Sequence, residues 1–283
     1  MRSTGSRGTG GVAGVSGVGS AEKLIENLGR TLDSSPRAGN LRLKIRRGGP
    51  TPLRRRFRKA PPDRTFSTRM QRTLEPEILD SLPPNHPDAL HNRRDLQLTN
   101  RILGNHRWFA RTLPGLLAPH DAVLEIGAGL GELAGRLTAR GLSVDGLDLW
   151  PRPAGWPASR TWHSADLRTF DGYDRYAAVI GNLIFHQFSA TELETLGARL
   201  QRSARVILAS EPARRRSSQI LFRSVAPLLG ANHVSLHDAH VSIAAGFRGE
   251  ELPRALGLEA TAWRVRCSTT WLGAYRMVAV RKS

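Results

Sequence analysis

The chain has 283 residues, a formal net charge of +18 and a single cysteine. That length suits one sizeable α/β core with extra segments. The lone Cys267 excludes an intrachain disulfide and points to a reducing compartment, so a cytoplasmic location is expected. No apolar run approaches the roughly 18 residues that span a bilayer, and no membrane association is expected.

The charge is unevenly distributed. Residues 1–65 carry 15 Lys or Arg against 4 Asp or Glu, a net +11, which leaves about +7 for everything else. Residues 1–70 read as a basic and mostly disordered tail, made of a Gly/Ser/Val-rich start, a short helix at 21–32 and a basic run at 41–59, with too few apolar residues to offset the entropy of ordering. A solvated tail competes here with a nucleic-acid arm, an organelle transit peptide and an upstream extension from a misassigned start. Only Lys23, Lys44, Lys59 and Lys282 are lysines. A GC-rich coding bias produces such an arginine excess without any RNA ligand, so nucleic acid is not the favoured partner.

Residues 71–120 read as a helical cap. A Pro-rich turn at 82–87 precedes a helix over 88–103, in which Leu96, Leu98, Ile102 and Leu103 give an apolar side at helical spacing. Pro114 and Gly115 close the segment.

From Ala122 the pattern alternates strand and helix, which predicts a doubly wound, Rossmann-like and mostly parallel sheet over 121–283. Strands are expected at 122–126, 143–147, 162–165, 176–182 and 204–209. A loop-like lid insertion is expected at 212–246, then a helix at 248–256 and a C-terminal antiparallel hairpin from the runs 260–268 and 274–281.

The first strand ends in Ala122-Val-Leu-Glu-Ile-Gly-Ala-Gly-Leu-Gly-Glu-Leu133. Its glycines allow a tight turn into a helix over 132–140. A dinucleotide fingerprint requires a third glycine at the sixth position counted from Gly127, but Glu132 stands there, and an acid at the helix start repels a pyrophosphate. The alternative is an ordinary glycine-rich turn.

Glu125, Gly127, Gly129 and Gly131 form E-x-G-x-G-x-G, which resembles the first motif of the class I S-adenosylmethionine-dependent methyltransferases. The resemblance implies that this loop, with Ala128, packs under the amino-acid and ribose parts of the cofactor, and that Glu125 helps to place its ammonium. It covers residues 122–283, least securely at 212–246, and the hairpin is the addition this family makes to the sheet. The segment at 71–120 is similar to the substrate cap of many small-molecule methyltransferases.

Asp148, at the carboxyl end of the second strand, lies where ligands bind in such sheets, and its carboxylate suits both ribose hydroxyls. Asp145 is its rival, three residues earlier. Asp166, in Ser164-Ala-Asp-Leu167, matches the family's acid for the adenine amine, with an ordinary turn Asp as the alternative. Leu149, Leu167 and Asn182 complete the implied cofactor contacts.

The fourth strand runs into Asn182-Leu-Ile-Phe-His186-Gln-Phe188. It lacks the proline pair of enzymes that methylate base amines. Leu183-x-x-His186-x-Phe188 instead resembles the ubiquinone- and menaquinone-biosynthesis type and related bacterial small-molecule O- and C-methyltransferases. A small organic acceptor is therefore expected, with His186 as general base and His237 or His240 as alternatives. The competing readings are a ribosomal or transfer RNA methyltransferase, which the basic tail favours and the fourth strand opposes, and a methyltransferase-like binding protein without catalysis. Glu211 and Arg214 are candidates to orient the acceptor. His233, His237, Asp238 and His240 invite a metal, but a loop-like setting with no helical face presenting all of them argues against one.

Overall fold

A computed structural model describes residues 70–83 and 85–282. The helix expected at 21–32 and the basic run at 41–59 lie outside the described residues.

Seven strands form one sheet: β1 (Ala122–Ile126), β2 (Ser143–Asp148), β3 (Trp162–Ser164), β4 (Ala178–Asn182), β5 (Val206–Pro212), β6 (Trp263–Thr269) and β7 (Ala274–Arg281). Their order is β3-β2-β1-β4-β5-β7-β6. The first five run parallel, while β7 is antiparallel to both β5 and β6. The apolar runs of β1, β4 and β5 are buried on both faces, as parallel strands under two helical layers require. The expected strands agree with these to within two or three residues at each end.

Helices cover both faces. On one, Leu133, Ala134 and Leu137 of α3 (Glu132–Thr138) and Phe109 and Ala110 of α2 (Asn105–Thr112) pack on Val123, Val144, Ile180 and Leu208. On the other, Leu193, Leu196 and Leu200 of α4 (Ala190–Ser203) meet Leu124, Val179 and Ile207, and α7 (Glu251–Ala255) adds Leu252. Each fully buried leucine contributes about 1.5–3 kcal/mol by leaving water. A capping box between Ser189 and Glu192 fixes where α4 starts. Gly197 lets α4 approach α7 closely, since a Cβ there would lie 2.1 Å from the carbonyl oxygen of Leu256.

Two expectations are corrected. The stretch 212–246 is no loop: it completes β5 and continues as α5 (Arg216–Val225), a 3-10 turn at Ala226–Leu229 and α6 (His233–Ala245). Asn232 starts α6 by accepting from the Ser235 amide. In α1 (Pro87–Leu103) the buried residues are Ala89, Asn92 and Asp95, whereas Leu96 is exposed. That buried face is polar because it meets α6 through hydrogen bonds: Ser235 Oγ donates to Asp95 at 2.6 Å and Asn92 Nδ2 to Asp238 at 3.2 Å. The left-handed Gly104, φ +65°, separates α1 from α2, a helix absent from the sequence reading.

Candidate functional site

The strand order reverses between β1 and β4, with β2 and β3 on one side and β5 onward on the other, and ligands of open α/β sheets bind above such a switch point. The glycine turn sits there. Gly127, Gly129 and Gly131 all have positive φ, at +62°, +55° and +73°. A Cβ on Gly127 would strike Ile184 and one on Gly131 would strike Trp156, but one on Gly129 meets nothing within 4 Å. The turn is thus closed beneath and open above its middle glycine.

Acids surround it. Asp148 accepts from the amides of Gly129 at 2.8 Å and Trp150 at 2.9 Å, which ties the ends of β1 and β2 together. Each of its oxygens retains a lone pair for a further donor. Leu149 beside it is 71% exposed, an apolar surface next to a carboxylate. Glu125 is buried and accepts from the Ala134 amide at 2.8 Å at the start of α3. Burial pushes its carboxyl up to about 8, with Asp148 and Glu132 adding to the rise. Glu132 accepts from Gln97 of α1. This set of acceptors repels a pyrophosphate through Asp148 and Glu132 and suits a cofactor with hydroxyls and a cationic end.

Asp166 follows β3 and is engaged by Arg168, which reaches both carboxylate oxygens at 2.6–3.0 Å and also pairs with Glu192. The Arg168 hydrogen bond holds the Asp166 carboxyl below its usual range. The adenine contact expected of Asp166 therefore competes with this ion pair. Leu167 is buried in the core below, and Ala128 is buried in the glycine turn. Asp145 accepts from the Thr161 amide and from Tyr176 Oη, which leaves Asp148 as the acid at the strand end.

Helix α1 roofs this rim. Arg93, Gln97 and Asn100, at helical spacing, reach Trp150 after β2, Glu132 after β1 and Asn182 at the end of β4. Leu183, next to Asn182, has φ +58°, uncommon strain at a strand end.

His186 stands differently from the expectation. Its Nδ1 lies 2.7 Å from Glu211 and its Nε2 3.2 Å from Glu77, with the ring and Glu211 both buried. Burial disfavours the charged ring, but the hydrogen bonds and charges of Glu211 and Glu77 outweigh it and raise its pKa to about 9. At neutral pH both nitrogens donate, so His186 is an imidazolium bridge with no free nitrogen to act as base. Glu211 also accepts the amides of Ile184, Phe185 and His186, and so fixes the turn after β4.

Glu77 belongs to a strap, residues 70–82, that the sequence reading did not anticipate. Arg72 donates to the carbonyls of Ala245, His186 and Phe188, and Asp238 accepts the amides of Ile78 and Leu79. Arg214 donates to the carbonyls of Met70 and Gly246 and pairs with Glu251, so it holds the strap rather than an acceptor. A cavity of about 300 Å³ between strap and α6 is lined by Glu77, Asp80, His186, Val241 and Ser242. Burial, then Glu77 and Asp238, raises the Asp80 carboxyl to about 6.

His233, His237 and His240 are exposed at helical spacing on α6, while Asp238 points inward to the strap. The three histidines share a helical face with Asp238 turned away from it, so no face presents all four, although the setting is a helix and not a loop. Among the described residues no group of three or more His, Cys, Asp or Glu is placed to hold a metal. The exposed His237 is 3.2 Å from Asp238 through Nδ1.

One polar row went unnoticed in the sequence. Asn182, Ser210 and Arg276 are in register across β4, β5 and β7, beneath Asn100 and Asn105. The signal was available only as register, because the three positions are 28 and 66 residues apart in the chain.

No family model matches the sequence, and no curated protein does. Solved structures do match. The plantazolicin methyltransferase BpumL in complex with SAH is 12% identical at a TM-score of 0.58, covering 72% of this chain and 93% of that one. The plantazolicin methyltransferase BamL, in complex with a triazolic desmethylPZN analog and SAH, is 11% identical at 0.57, covering 72% and 92%. The chain has the class I methyltransferase fold. Its strand order, glycine turn and terminal hairpin all belong to that fold, and among the described residues no helix is long and apolar enough to cross a membrane.

Proposed function

We propose that the chain is an S-adenosylmethionine-dependent methyltransferase that transfers a methyl group to oxygen or carbon of a small organic acceptor. The observation that carries this reading is the glycine turn, open above Gly129 and hydrogen-bonded to Asp148 at the switch point. Gly127 to Gly131 would hold the amino-acid and ribose parts, Glu125 would support the turn beneath them, and Asp148 would accept the ribose hydroxyls. Leu149 would cover the adenine, with Leu167 and Asp166 at its edge. Asn182 borders the reacting centre. When bound, the cofactor supplies an electrophilic methyl on sulfur. The protein's own work is alignment: α1 excludes water from the rim, and the His186 bridge holds the turn after β4 in one conformation.

The resemblance of Leu183-x-x-His186-x-Phe188 to the ubiquinone- and menaquinone-biosynthesis type supports a small acceptor. So does α1, whose Arg93, Gln97 and Asn100 cross the rim from Trp150 to Asn182. Residues 71–120 then act as the acceptor cap. A cytoplasmic location is in keeping with the half-buried Cys267 thiol, which burial pushes up and Tyr275 hydrogen-bonds.

Isothermal titration with S-adenosylmethionine and S-adenosylhomocysteine tests the reading. Binding of both, weakened about tenfold or more in Asp148→Ala, is the expected result. No binding of either overturns it.

A further inference from the structure

Of the six buried side-chain polar atoms without a hydrogen-bond partner among the described residues, four lie in one place: Asn182 Oδ1, Ser210 Oγ, Arg276 Nε and Asn105 Oδ1. Ser210 and Asn105 are wholly buried. In-register neighbours share a face of a sheet, so Asn182, Ser210 and Arg276 form a row across three strands at the same rim as the glycine turn, with Asn182 and Arg276 about 10 Å apart at Cα. Asn100 Oδ1 closes the row from above by accepting from Asn182 at 3.1 Å and Asn105 at 3.0 Å. Arg276 lies over the Trp108 ring, 5.3 Å from its centroid, and donates to the Leu103 carbonyl at 3.0 Å. No carboxylate among the described residues pairs with it.

The unfilled valences are ordered by kind. At the Arg276 end stand a guanidinium N–H and a hydroxyl, which call for an anionic oxygen. At the Asn182 end stand two amide oxygens, which call for an N–H or O–H donor. We infer that this row is the acceptor site, and that its ligand is a small carboxylic acid carrying a hydroxyl, with the carboxylate on Arg276 and Ser210 and the hydroxyl on Asn182 and Asn105. This deepens the methyltransferase reading and rests on it. The nucleophile is then the group nearest β4, where the cofactor's reacting end would stand. Methyl transfer to it forms a bond from its oxygen to carbon and breaks the sulfur to carbon bond; Asn182 Oδ1 only accepts the hydroxyl's hydrogen bond, and the proton passes to water that enters with the acid. The four atoms are out of contact with solvent while α1 and α2 are in place, so binding of the acid requires these helices to give way.

Ligand-observed NMR on the full chain, saturated with S-adenosylhomocysteine, tests this with 2-hydroxybenzoate and 3-hydroxybenzoate, each against its primary amide. The acids are expected to bind about tenfold or more tightly than the amides. Arg276→Gln should erase that preference, Arg276→Lys should restore part of it, and S-adenosylhomocysteine affinity should stay unchanged in both. Either variant failing to fold is bypassed by Ser210→Ala, which should weaken acid binding alone. The inference is overturned if S-adenosylhomocysteine binds but no acid does, if acids and amides bind alike, or if a crystal structure with acid present shows only ordered water in the row. Failure to bind S-adenosylhomocysteine overturns the methyltransferase reading instead.

Discussion

The two halves of the sheet rim are built on different principles. On the β1–β2 side the backbone does the shaping: three left-handed glycines make the turn, and Asp148 and Glu125 brace it through main-chain amides. On the β4–β5 side the side chains do it: Glu211 gathers three amides and a buried imidazolium, Glu77 closes the ring from a strap, and Arg72 and Arg214 tie that strap to α6 and to the start of α7. A backbone-built half tolerates loss of one acid at small cost to the fold. A half built around buried charges does not, because each charge is tolerable only while its partner remains.

The sharpest way to break the contrast is Glu211→Ala. It leaves the His186 charge with Glu77 alone and three amides without their acceptor, so urea denaturation should register a loss of about 3–5 kcal/mol. A loss near zero would mean that the bridge is not charged and that the two halves do not differ.

Gly131→Val comes next and attacks the other half through its backbone. The new side chain must adopt φ +73° and displace Trp156, at a cost of about 2–4 kcal/mol by the same denaturation assay. Gly129→Ala sharpens the point. It meets strain but no neighbour, so it should cost only about 1 kcal/mol while weakening cofactor binding, measured by calorimetry.

These differences follow what could be read from the chain. The backbone-built half was legible, since the spacing of Gly127, Gly129, Gly131 and Asp148 is local and the apolar runs mark the strands that carry them. The other half was not. Glu77 and His186 are brought together over 109 residues, and nothing periodic marks residues 70–82 as a strap. The histidines at 233, 237 and 240 carry no helical signature in the sequence because α6 is not amphipathic in the usual sense: its inner face carries Ser235 and Asp238 beside Val234 and Val241. The same polar contacts misdirected the reading of α1, whose leucines suggested an inward face that Asn92 and Asp95 occupy.

Asp148→Ala should separate stability from binding. Its two hydrogen bonds are to exposed amides that water can satisfy, so the fold should lose no more than about 1 kcal/mol, against a tenfold or greater loss in cofactor affinity. Equal losses in both assays would mean that this half, too, depends on its acids for folding.

The smallest effect is a matter of pH, and it reports on the imidazolium directly. The folded His186 pKa is about 9, above the ordinary value near 6.5. Below about pH 6.5 the ring is protonated folded or unfolded, and its stabilisation is fully present. Between about pH 6.5 and 9 the unfolded chain releases the proton while the folded one retains it, so stability falls, and above about 9 the contribution is gone. Glu125, raised to about 8, acts in the same direction: its contribution is present below its ordinary value and is lost as pH rises through 8. The melting temperature should therefore decline from about pH 6.5 to about 9. In His186→Asn it should start lower and decline less, because Glu125 alone remains, and the gap between the two proteins should narrow across that window. Parallel curves would mean that the ring is neutral in the fold, and would return His186 to the list of bases.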